Sequence, residues 1–274
     1  MITLNSIKQY RGATLINGVD YLYIPPHAML RPYISHYTVS FPKPHTMSDE
    51  YTVLPSASST LCIFVDSKRI ISSLCGTNTR ADKVGSYANR MKLLLLIKFR
   101  AGGSFQFFNF MQTELTDFSL ALNDIDTKLT SEIENELEKS ESIDALVETL
   151  DTIFINRLKD CYCWNYVSPI INKIITQNGN MTTRELSSEF FYSEKHIRRL
   201  FSKCVGTTPK MFIRIVRVNN ALRLLQNLPV NHVDVAAQTG FFDQPHFIHD
   251  FRAILGLTPQ KYICNMSDFY NDEF

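Results

Sequence analysis

A chain of 274 residues is long enough for about two domains, each with its own core. Its 45% hydrophobic and 20% charged residues exclude a disordered chain, and its longest apolar run, LLLLI at 93–97, ends at Lys92 and Lys98, far short of the ~18 residues of a spanning helix. The net charge of +1 hides an imbalance: residues 165–262 hold twelve Lys or Arg against six acids, and residues 114–151 hold two against twelve.

A basic module beside an acidic connector predicts a nucleic-acid surface toward the C-terminal end. The start, MITLNSIKQYRG, lacks a basic patch leading into an apolar signal segment, so a cytoplasmic protein is expected. Up to about residue 110 the pattern is that of strands. Tyr37, Val39 and Phe41 alternate with Thr38 and Ser40, and Leu61, Ile63 and Val65 with Cys62 and Phe64, with breakers at Pro25, Pro26, Pro42, Pro44, Pro55, Gly76 and Gly85. A further strand over about 93–99 leads to Arg100, Gly102 and Gly103. There a guanidinium beside accessible amides suits a carboxylate or phosphate of an effector, and pairing of Arg100 with an acid of 114–151 is the alternative. The six cysteines contain no CxxC, and Cys161 with Cys163 has no matching ligand pair. Reduced, buried thiols are expected, without a metal or cofactor.

From about Thr113 the period changes. Leu129, Ile133 and Leu137 are four apart, and after Ser142 the set Ile143, Leu146, Val147, Leu150, Ile153, Phe154 and Leu158 makes one helical stripe, which covers either the sheet or a second copy of the chain. Ser168 with Pro169 reads as the start of the next helix and Gly179 as its end. Thr182 with Glu185 has capping-box spacing, Ser193 caps another helix, Thr208 and Pro209 start a long one to about residue 226, and Asn231 and Asp243 cap two more.

At an offset of 50 residues, LFSKCVGTTPKMFI from Leu200 aligns with DFRAILGLTPQKYI from Asp250, and Ser193 and His196 match Asp243 and His246. The duplicated unit is a short helix, a tight turn and a second helix with one face in solvent. Ala236 followed by Gly240 supplies the small contact and the positive-φ turn; Ser187 and Phe191 stand there in the first copy, so its turn is expected to differ. Phe201 and Phe251 are expected to fill equivalent cores. Lys195, Arg198, Arg199 and Lys203 face outward on the first exposed helix, and Gln244, His246, Ile248 and His249 on the second.

Residues 166–262 resemble the DNA-binding domain of the AraC/XylS family, and GFFDQPHFIHDFRAILGLTPQKY from Gly240 is similar to its signature segment. The resemblance implies two helix-turn-helix units, joined by a long helix over 211–226, in successive major grooves. It places base contacts at Lys195, Arg198 and Arg199 and, in the second unit, at Gln244, Pro245, Ile248 and His249. His249 stands where the family often has Arg and Pro245 removes an amide, so phosphate positioning is expected of that unit. More faintly, LRPYISHYTVSF, VLPSASSTLCIFVD, Cys75-Gly76-Thr77 and FRAGGSF resemble a β-rich domain that precedes this module in other members, with Ala101 where relatives have Pro.

The expectation is an α+β chain. Residues 1–160 form a β-rich sensor or dimerisation domain with accessory helices, and residues 161–274 an all-α domain of two helix-turn-helix motifs. The implied function is that of a bacterial sequence-specific transcription regulator with double-stranded DNA, a small-molecule effector, RNA polymerase and a second copy as candidate partners, and no membrane. Alternatives are a ligand-independent DNA-binding protein whose first domain only dimerises, and an enzyme-regulator fusion. Nucleophile elbows, metal-ligand pairs and phosphate loops are absent from the residue order, and Cys62 and Cys75 are too few for a zinc-bound methyl acceptor, so no enzyme is expected.

Overall fold

A computed structural model describes residues 1–18, 20–44, 47, 49, 52–159, 161–227 and 232–265. Among them, helix α1 (Leu4–Gln9) precedes β1 (Ile16–Asn17), β2 (Tyr21–Ile24), β3 (Ile34–Ser40), β4 (Thr52–Val53), β5 (Thr60–Val65), β6 (Ile70–Cys75), β7 (Asp82–Lys83), β8 (Leu93–Phe99) and β9 (Ser119–Ala121). Seven strands pair in the order β1-β2-β3-β8-β5-β6-β9, every pairing antiparallel, and β4 pairs with β7 apart from them. The run LLLLI lies in the central strand β8. Neither of its faces reaches solvent freely, which is why it reads apolar throughout.

The register sorts the sheet into two faces. Leu22, Val39, Leu95 and Ile63 lie in one row, with Tyr37, Ile97, Leu61 and Leu74 beside them, all on one buried face. After the short α2 (Leu122–Ile125), helices α3 (Thr127–Lys139) and α4 (Ile143–Ile155) cover it, and Leu129, Ile133, Leu137, Leu146, Leu150 and Phe154 share one core with the strands. Each such side chain stabilises by about 1.5–3 kcal/mol when buried. The stripe from Ile143 is therefore consumed within the chain rather than by a second copy. Asp126 and Ser142 cap α3 and α4, and the Tyr37 hydroxyl donates to Asp151 of α4 at 2.8 Å.

The opposite face is mixed. Tyr21, Ser40, Leu94 and Phe64 form one row, Tyr23, Thr38, Leu96, Cys62 and Ser73 the next, and His36, Lys98, Thr60 and Cys75 the third.

The second core is helical: α5 (Tyr162–Thr176), α6 (Thr183–Phe190), α7 (Glu194–Cys204), α8 (Pro209–Asn227), α9 (His232–Gln238), α10 (Gln244–Leu255) and α11 (Pro259–Asn265). The start expected at Ser168 is wrong: α5 begins after Cys161 and carries Pro169 in its interior. The added turns place Trp164 against Tyr33, ring centroids 5.2 Å apart, and bury Val167, and this packing offsets the ~3 kcal/mol that an interior proline costs. Gly179 ends α5 as expected, at φ +71°. The cap expected at Asn231 lies outside the described residues. Among those residues no helix is long and apolar enough to cross a membrane.

The two cores meet. Ala57, Ala101 and Phe105 belong to the helical core, the Asn219 side-chain amide donates to the Pro55 carbonyl at 2.8 Å, and the Ala81 amide donates to the Ile254 carbonyl at 2.9 Å.

Candidate nucleic-acid interface

Ser193 and Asp243 open equivalent helices. Each side chain accepts from an amide three residues on, that of His196 at 3.2 Å or His246 at 2.7 Å, satisfying a donor that a helix start leaves unpaired. Helix α7 turns Ile197, Leu200, Phe201 and Cys204 inward, and α10 turns Phe247, Phe251, Ile254 and Leu255 inward. Phe201 packs on Phe212 with ring centroids 5.6 Å apart; 50 residues later Phe251 packs on Tyr262 at 6.0 Å. Gly206 and Gly256 then take φ +83° and +71° before the helix starts at Pro209 and Pro259. The sequence repeat is a repeat of geometry.

The two turns agree as well, against expectation. Gly240 has φ +73°, and a Cβ there would strike the Asn180 side chain. Phe191 takes the same left-handed region at φ +55°, ψ +33°. Packing of Leu186 and Ile197 on either side of the turn and donation from the Ser187 hydroxyl to the Tyr192 carbonyl hold it there, and the exposed ring meets nothing that would forbid it.

Lys195, Arg198, Arg199 and Lys203 are all exposed on α7. Arg199 Nη2 lies 3.2 Å from His196 Nδ1, and among the described residues no carboxylate pairs with Lys195, Arg198 or Arg199. Lys203 has another neighbour: its Nζ sits 5.6 Å above the Phe105 ring, at the junction with the sheet domain.

On α10 the candidates divide. Gln244 is half-buried and the His249 side chain is 77% exposed, whereas Ile248 packs against the core. Pro245 occupies the first turn, where an amide has no helical acceptor, so the helix loses nothing by it. His246 is drawn into the turn. Its ring meets Phe241 at 5.4 Å, Nδ1 accepts from the Phe242 amide at 3.3 Å, and Nε2 is 3.7 Å from Asp250.

Sequence reasoning missed what ties α10 to α8. Arg214 donates Nε and Nη2 to the two oxygens of Asp250 at 3.0 and 2.8 Å, and the Asp250 side chain is only 6% exposed. Burial alone would raise that carboxyl, but the hydrogen bonds and charge of Arg214 hold it below the usual carboxylate range. Arg217 donates Nε and Nη2 to the Gly179 carbonyl at 3.0 and 2.7 Å and lies 5.5 Å over the Phe241 ring, joining both units. The available signal was an acid within the apolar spacing Phe247, Phe251, Ile254, at the position where the first copy has Leu200.

Arg100, Gly102 and Gly103 lie at the domain junction. Arg100 Nε donates to the Arg31 carbonyl at 2.7 Å, the Gly103 amide donates to the Arg100 carbonyl, and Gly102, at φ +75°, faces Trp164, Ile171 and Cys204. Among the described residues Arg100 pairs with no acid of 114–151.

Residues 186–264 match a helix-turn-helix domain family. The chain is 33% identical over 113 residues to the HTH-type transcriptional activator AarP of Providencia stuartii, an alignment covering 39% of this chain and 82% of AarP. It is 40% identical over 67 residues to the uncharacterized HTH-type transcriptional regulator YbfI of Bacillus subtilis, covering 24% of each. Among solved structures, ToxT from Vibrio cholerae is 16% identical, with a TM-score of 0.41 over 80% of this chain and 95% of that one. With its doubled helix-turn-helix geometry and a known activator matched over most of that activator's length, the chain belongs to the AraC/XylS family of DNA-binding transcriptional regulators.

Proposed function

We propose that α7 reads base edges through Lys195, Arg198 and Arg199, while α10 presents Gln244 and His249 chiefly to phosphates. The carrying observation is three exposed cations, without carboxylate partners among the described residues, on a helix whose other face is committed to a core. Phosphates reward such charge, and Arg adds the bidentate contact to guanine that discriminates sequence. Selecting bound duplexes from a random library gives the site; Arg198→Ala and Arg199→Ala are then compared on it and on scrambled DNA. A loss of about 1–3 kcal/mol on the selected site, with unchanged folding, is expected. Equal loss on both duplexes would mean phosphate contact only, and no loss would remove the assignment.

In this reading residues 161–274 bind DNA, in the cytoplasm where a bacterial chromosome lies, and residues 1–160 sense a small-molecule effector on the mixed face of the sheet. Ser40 there is 1% exposed, and its hydroxyl has no partner among the described residues. An orphan of this kind costs about 1–3 kcal/mol, which a ligand's hydrogen bond would recover. Lys98 Nζ donates to the Ser56 hydroxyl at 2.8 Å, and His36 and Thr38 lie buried beside it. This supports sensing over a purely dimerising domain. In a thermal-shift screen, a compound that raises the melting midpoint of the wild type but not of Ser40→Val is expected. A screen in which every stabilising compound acts equally on both proteins would favour the scaffold.

A further inference from the structure

We propose that Cys62 and Cys75 form a reversible disulfide under hydroperoxide and that this bond loosens the seat of the DNA-binding domain on the sheet. Their sulfurs lie 3.6 Å apart on neighbouring strands, Cys62 buried and Cys75 partly exposed. Donation from Cys62, opposed by burial and the Asp82 charge and aided by Ser73 and the Lys98 charge, holds the Cys75 thiol below the usual thiol range. Cys75 is therefore the sulfur of the pair that gives up its proton more readily, to become the nucleophilic thiolate, and unlike Cys62 its residue is partly exposed to a small oxidant. The Cys75 thiolate attacks one peroxide oxygen and the O–O bond breaks, giving a sulfenic acid and a hydroxide or alkoxide, which takes a proton from solvent to become water or an alcohol. The Cys62 sulfur then displaces the sulfenic oxygen, which leaves as water with the Cys62 proton. Two electrons pass from the sulfur pair to the peroxide, and a dithiol reverses the step.

The bond must move the backbone. Thr60 faces Cys75 and Cys62 faces Ser73, so the two cysteines are diagonal neighbours, a relation that places Cα atoms roughly 7–8 Å apart, beyond the ~4.4–6.8 Å of a relaxed disulfide. Cys75 is the last residue of β6, so the pull falls on Gly76 and Thr77. That segment has no slack: a Cβ on Gly76 would strike the Leu115 carbonyl, the Gly76 amide donates to the Phe118 carbonyl at 2.9 Å, and the Asp117 amide donates to the Thr77 carbonyl at 3.0 Å. The same two stretches carry the DNA-binding domain. The Thr77 hydroxyl donates to the Val205 carbonyl and the Thr116 hydroxyl to the Gly206 carbonyl, at the end of the first reading unit.

The test uses the reduced full-length chain and hydrogen peroxide. Under denaturation, alkylatable thiols should fall from the six of the sequence to four, with non-reducing peptide mapping showing a Cys62–Cys75 cross-link that dithiothreitol reverses. Amide exchange of peptides covering 76–79 and 115–118 should accelerate at least ten-fold on oxidation. Cys62→Ser should instead leave a sulfenic acid on Cys75 that dimedone traps, with exchange unchanged. Six thiols retained, direct over-oxidation of Cys75, or a cross-link between Cys163 and Cys204, which also lie close together, would overturn the pairing. A Cys62–Cys75 bond without faster exchange would overturn the coupling.

Discussion

Phe191 holds a backbone conformation that a residue with a Cβ reaches at a cost of about 1–2 kcal/mol, and its ring, 92% exposed, recovers nothing by burial. Its counterpart in the second unit is Gly240, which takes that conformation without a Cβ penalty. Glycine gives back part of the difference because it has more freedom to lose on folding. Phe191→Gly should therefore stabilise the chain by roughly 0.5–1 kcal/mol in denaturant unfolding, with DNA binding retained. An unchanged or lower midpoint would show that the ring makes a contact of equal worth. The turn was misjudged because residue type indicates which conformations are cheap, whereas packing on either side of a turn decides which one is adopted.

Helices α8 and α10 are joined by a charged pair in an otherwise apolar contact, and at the equivalent position of the first unit the chain uses Leu200. Removing one partner leaves the other's charge or hydrogen-bonding groups uncompensated; with Asp250 buried and Arg214 partly in solvent, Arg214→Ala should cost about 2–3 kcal/mol. The carboxyl titrates below its ordinary 3.8 in the folded chain. Its contribution is thus complete above about pH 5 and is lost as the pH falls below the ordinary value through the folded one. Asp250→Asn should remove that part of the acid sensitivity; an identical acid unfolding profile would mean the pair contributes nothing. The caps at Thr182, Ser193 and Asp243, the 50-residue repeat and the strand over 93–99 were legible because each is a pattern in the residue order itself. The Arg214–Asp250 pair was not, since spacing shows that an acid sits on a buried face without showing which base comes to meet it. The interior Pro169 was misread for a related reason: the proline signal is local, and the packing that overrides it comes from Tyr33, over a hundred residues away.

At the scale of the molecule, the sheet domain touches both reading units and the helix between them: Thr77 and Thr116 at Val205 and Gly206, Pro55 at Asn219, Ala81 at Ile254. Charge played little part in this, although the chain's uneven charge drew attention to the two halves. The acidic segment is engaged within the sheet domain, with Arg157 2.6 Å from Glu132, and the polar contacts across the junction described above are made by hydroxyls, amides and carbonyls. Backbone carbonyls occur at every position, so a junction built on them leaves no trace in composition. It does have a consequence for regulation. The relative placement of α7 and α10 is set by α8 and by the sheet domain together, so an event at the sheet can alter DNA affinity only by the free energy with which it changes this docking. Asn219 is the most informative position, because it is buried on α8 and its amide supplies the donor for the Pro55 carbonyl. Asn219→Ala should weaken docking by about 1–3 kcal/mol, the cost of leaving that carbonyl unsatisfied, while both cores persist. Calorimetry should then show unfolding that is broader than that of the wild type or divided in two, and amides at 54–57 exchanging faster. A variant that unfolds in one transition at the wild-type midpoint, with exchange at 54–57 unchanged, would mean that the domains are held by their apolar contacts alone.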